Sequence, residues 1–139
     1  MGKVNWGRVF LGGLLAGVVI NVFESVFSGI ILARDWEAAM KTLGHQMPSG
    51  AIGIFLVYGF LTGIAAIWLY AVARPRFGPG PKTAALTGVG YWVIGYALPA
   101  AGWGATGLFP ARLIATSTLG GLVEIVVAGV VGAWLYKEE

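Results

Sequence analysis

At 139 residues the chain has the length of one domain, yet 58% of its residues are hydrophobic, only 11% are charged, and its mean hydropathy is +0.81. Soluble domains carry about 25% charged residues, so this chain has too few to cover a water-facing surface and reads as a single integral membrane domain over 1–139. It contains no cysteine, which excludes disulfides, iron–sulfur clusters and thiolate metal sites. The pI near 9.5 comes from basic residues at the ends of apolar runs, so anchoring in a lipid bilayer explains it and nucleic acid does not.

The first apolar run, about 9–32, is long enough to cross a hydrocarbon core of about 30 Å. Lys3 and Arg8 could open a signal peptide, but the run is too long, Glu24 interrupts it, and no clear A-x-A site follows before Arg34. A retained helix is expected. At about 100° per residue, Gly13, Gly17, Asn21, Glu24 and Ser28 share one stripe. The stripe begins as a GxxxG groove and turns polar.

The connection ARDWEAAMKTLGHQMPSG at 33–50 predicts a short helix at about 35–43, with Asp35 as its cap and Gly44 as its stop. Trp36, Ala39, Met40 and Leu43 share one face, which places this helix on the membrane surface. His45, the only histidine, cannot alone build a zinc or haem site within one chain. It reads as a surface residue, or as an axial ligand to a pigment or haem within a larger complex.

The second run, about 51–73, aligns Gly59, Gly63, Ala66 and Tyr70. RPRFGPGPK at 74–82 predicts a tight turn that holds Arg74, Arg76 and Lys82 at anionic lipid head groups. The third run, about 83–101, offers Ala84, Gly88, Tyr91 and Gly95, with Trp92 and Tyr96 as packing residues or as a ligand-stacking wall. A short uncharged connection, GWGATGLFP, leads into the fourth run, about 112–136, where Ser117, Gly121, Glu124 and Ala128 align. Each helix thus has a small-residue face, and Gly13, Gly17, Gly59, Gly63, Gly88, Gly121 and Ala128 are expected at helix contacts.

Lys3, Arg8, Arg74, Arg76, Lys82 and Lys137 fall on one side of these spans, against Arg34, Lys41 and Arg112 on the other. The positive-inside rule then makes both termini cytoplasmic. Trp6, Trp68, Tyr70, Trp134 and Tyr136 would mark that interface, and Trp36, Trp103 and Phe109 the outer one. GIAAIWLYA at 63–71 matches GVVGAWLYK at 129–137. Either a two-helix hairpin has been duplicated as a parallel repeat, or aromatic belts have produced a coincidence.

Glu24 and Glu124 are the only acidic residues at membrane depth, and no Lys, Arg or His accompanies them. Counted from the outer ends at about 1.5 Å per residue, Glu24 lies roughly 12 Å in and Glu124 roughly 20 Å in, which brings Asn21 nearer than Glu24 to the level of Glu124. Protonated, either carboxyl can hydrogen-bond Asn21, Ser28, Ser117 or a carbonyl as polar glue between helices. The other reading is a protonatable site, which intramembrane carboxylates mark by default. No base is placed to activate a Ser or Thr and no metal cluster is present, so an enzyme is not expected, nor is a cofactor.

NW at 5–6, WEAAMKTLG at 36–44 and the WLY endings resemble small bacterial four-helix membrane proteins of unknown function, a resemblance that spans most of the chain and implies no activity. The expectation is an all-α, four-helix transmembrane bundle with an interfacial helix after the first span, in a bacterial inner membrane. Two functions fit it. One is a non-catalytic packing module, self-associating or part of a larger membrane complex; the other is a small proton-coupled transporter or proton relay using Glu24 and Glu124.

Overall fold

The computed structural model describes residues 2–138. It is built from helices α1 (Trp6–Val26), α2 (Ala33–Thr42), α3 (Ala51–Phe77), α4 (Pro81–Trp92), α5 (Leu98–Thr106) and α6 (Ala111–Ala133). A π-helical turn at Phe27–Ile31 extends α1, and a second at Val93–Ala97 joins α4 to α5. The result is four spans, Trp6–Ile31, Ala51–Phe77, Pro81–Thr106 and Ala111–Ala133, each long and apolar enough to cross a membrane. The fold is the four-helix bundle the hydropathy predicts, and its four long apolar helices fit a polytopic membrane protein.

Local chemistry sets the ends. Asn5 caps α1, its Oδ1 accepting from the Arg8 N–H at 3.0 Å. The second span runs further than predicted, since Arg74, Pro75 and Arg76 continue the helix. The tight turn therefore shrinks to Gly78–Gly80, where φ of +85° and +126° requires glycine. Asp35 does not cap α2, which begins two residues earlier and has no side-chain cap; Gly44, at φ +68°, does stop it. The apolar face of α2 does not simply rest on lipid. Leu32 and Ala39 are buried with Leu113 of the fourth span, flanked by Phe27, Trp36 and Phe109.

The core lies at one end of the bundle. Buried residues of α3 begin only at Gly59, and those of the third span stop at Gly88. Around Val9, Ala16, Ile67, Ala84 and Ile125 the four spans are close-packed, whereas residues 52–58 of α3 are exposed on every side. We call these the closed and the open end.

Glycines make the closed end possible. A Cβ on Gly12 would lie 2.6 Å from the Gly132 carbonyl oxygen, and one on Gly132 would lie 2.5 Å from that of Gly12. Gly13 faces the backbone of Ile64, Gly17 faces Phe60, and Gly63 lies on the backbone of Gly13 and Gly17. Gly88 meets Val126, and Ala128 is fully buried. Gly59 and Gly121, towards the open end, receive the side chains of Asn21 and Tyr96.

The WLY endings carry an internal symmetry. Trp68 and Trp134 point outward, 41% and 71% exposed, as belt residues would. Tyr70 and Tyr136 do not join the belt: both are buried, and their rings meet edge to face at 5.8 Å and 88°. The Tyr70 hydroxyl accepts from the Gly80 N–H at 3.0 Å, at the start of the third span. The Tyr136 hydroxyl accepts from the Asn5 N–H at 3.3 Å, at the start of the first. Each even-numbered span thus clasps the beginning of the next odd one, so the two hairpins close into a ring. Arg74, expected at lipid head groups, instead pairs with Glu138 at 3.3 Å and lies over the Tyr136 ring. Arg76 and Lys82 are exposed.

Candidate functional site

The aromatic ring of Phe27 seats in the notch at Gly120, and this contact fixes the register between the first and fourth spans. Glu24 lies three residues from Phe27 towards the closed end, and Glu124 lies four from Gly120 in the same direction. Both steps are about one helical turn. The two glutamates therefore reach one level, which corrects the offset of about 8 Å expected from counting residues. Asn21 is occupied elsewhere, its Nδ2 donating to the Leu56 carbonyl at 3.1 Å.

The two carboxyl groups have different surroundings. Glu124 is 1% exposed. Its Oε1 accepts from the Tyr96 hydroxyl at 2.8 Å, while its Oε2 is buried with no hydrogen-bond partner. Glu24, expected to be buried in a helix contact, is exposed to a cavity and close enough to Glu124 for the two to interact. Ionised carboxylates offer only acceptors and repel each other, so what fits between them is a proton or a cation. The Arg74–Glu138 pair is the only ion pair among the described residues, so neither glutamate has a basic partner among them.

The cavity occupies about 1490 Å³ between the splayed halves of the first and second spans. Glu24, Glu124, Tyr96 and Thr62 line its foot, Phe55 and Tyr58 line one wall, and residues between Trp36 and Pro48 line its mouth. Asn21 and Ser28 also line it; Ser117 does not, and its buried hydroxyl has no partner. The only histidine, His45, is at the mouth with Glu37 and Lys41. No group of three or more His, Asp or Glu residues among the described residues could hold a metal ion.

Thr62 was not legible as a site residue, and Tyr96 was legible as a packing or ligand-stacking ring but not as the hydroxyl partner of Glu124. Tyr91 and Tyr96 are five apart, about 140° out of phase on an α-helix. The π turn between Trp92 and Leu98 narrows that mismatch, and the two rings meet edge to face at 6.3 Å with Tyr96 on Glu124. Apolar periodicity carries no signal for an inserted π residue. The Trp92 indole meanwhile donates to the Thr118 carbonyl at 2.7 Å, pinning the third span to the fourth beside the site. No protein-family model, curated protein or solved structure matches the chain.

Proposed function

We propose that this polytopic membrane protein is a small, non-catalytic proton-coupled transporter whose exchange site is the Glu24–Glu124 pair. In this reading it lies in a bacterial inner membrane with its termini and the 74–82 connection cytoplasmic, so that the cavity faces outward. The observation that carries the reading is the meeting of two carboxyls, from opposite ends of the chain, at the foot of an open cavity without a basic partner. A purely structural carboxyl would have both oxygens satisfied by the helices around it, and Glu124 Oε2 is not.

Infrared difference spectroscopy on proteoliposomes after an acid or base jump tests this. A carboxylic C=O band should appear and vanish reversibly in the native protein, and Glu24→Gln and Glu124→Gln should each remove or shift it. A spectrum without a titrating carboxyl, or one that both variants leave unchanged, sinks the proposal.

A second reading, a module within a homo-oligomer or larger complex, is favoured by residues 52–58 of α3, an apolar run exposed along its whole length. The glycine stripes themselves are filled from within, so association would use this bare half-helix. Ile54→Cys, in a chain without cysteine, should then cross-link between copies or to a partner in native membranes. Monomeric protein throughout would end that reading.

A further inference from the structure

The geometry assigns to the cavity a ligand class: an amphipathic primary or secondary amine, bound as its ammonium ion with the head at Glu124 and Glu24 and the apolar body against Phe55 and Tyr58. The inference rests on the exchange-site reading and adds what the proton exchanges with.

Three observations lead to it. First, the cavity of about 1490 Å³ is far larger than a proton site needs, and its walls are mostly apolar and aromatic; sites of drug-sized molecules occupy about 300–1,000 Å³. Second, its foot carries two carboxyls with no internal cation, so the complementary ligand group is positive. A metal ion would need a fuller donor set than the described residues assemble. Third, Tyr96 already occupies Glu124 Oε1, and the buried Oε2 has no donor from the surrounding helices, so it needs one once the pair's proton leaves.

The third point selects among cations. A quaternary ammonium has no N–H and would leave Oε2 unsatisfied. An ammonium with one to three N–H groups can donate to Oε2 and to Glu24 together, with aromatic faces available beside it.

Charge balances by exchange. The empty pair holds one proton; the ammonium enters, that proton leaves to water, and the net charge of the site is unchanged. Affinity should therefore fall by about tenfold per pH unit as the medium is acidified through the range where the proton is exchanged. The titratable groups facing the site are Glu24 from the first span, Tyr58 from the second, Tyr91 and Tyr96 from the third, and Glu37, Lys41 and His45 at the mouth. His45→Ala should keep the slope, because the exchanged proton belongs to the glutamates.

The test is calorimetric titration of the full chain in mild detergent with 2-(2-naphthyl)ethylamine and with its N,N,N-trimethyl derivative. Expected are saturable binding of the amine, at least tenfold weaker binding of the trimethyl compound, and a heat that varies with buffer ionisation enthalpy as one proton is released. Glu124→Gln should abolish binding, and Glu24→Gln, a change at an exposed side chain that disturbs no packing, should weaken it at least tenfold. Equal binding of the two compounds, or binding that Glu24→Gln leaves intact, overturns the inference. So does absence of saturable binding; if the infrared carboxyl signal persists in that case, the proton site stands and only its ligand class is wrong.

Discussion

Glycine at a helix crossing matters by what its missing Cβ would strike. Gly63 lies against the backbone of Gly13 and Gly17, so any side chain there separates the first two spans. Gly53, in the exposed half of the same helix, has nothing within 4 Å. Gly63→Ala should lower stability by about 1–3 kcal/mol, the usual range for overpacking, and Gly53→Ala should not lower it. Thermal unfolding in one detergent compares them directly, and equal melting temperatures would show that the crossing is looser than drawn. Both glycines belong to the same apolar run, and the pattern of small residues alone marks Gly63 as a helix contact. Helical phase was informative for such residues because the closed end is regular α-helix. It misled at Glu24, whose stripe pointed to a packed face when the spans in fact diverge there around a cavity.

The unit that organises the closed end is the hairpin, and its signature is a tyrosine hydroxyl accepting from the first turn of the following hairpin. Tyr70→Phe and Tyr136→Phe should each cost about 1 kcal/mol, the net worth of a typical hydrogen bond. Replacing both rings by alanine should show a coupling of about 0.5–1.5 kcal/mol in a double-mutant cycle, because the rings touch edge to face. Independent effects would mean that the two hairpins do not communicate through this contact. The WLY repetition was visible in the sequence, but its tyrosines looked like belt residues, since an interfacial aromatic and an inward-facing one at the same depth differ only in helical phase. The two π turns had no such trace. They decide where Tyr96 and Phe27 point, and with them the register of the glutamates.

For the whole molecule, length and hydropathy specified four spans and their order, whereas the asymmetry between a packed end and an open one came from contacts distant in sequence. Leu32, Ala39 and Leu113 meet only because α2 folds back over the fourth span, which no local pattern encodes. The clasp has a topological consequence. Gly2 lies against the side chain of Glu138, so the first and last described residues are neighbours, and the link between hairpins at Gly78–Gly80 is their counterpart across the ring. The order in which the hairpins are synthesised is then interchangeable. A circular permutant starting at Pro79, with Glu139 joined to Met1 by a short flexible linker, should insert with the same sidedness and keep its melting temperature within a few degrees. Failure to assemble would mean that the present order of synthesis, and not the finished ring of contacts, selects this fold.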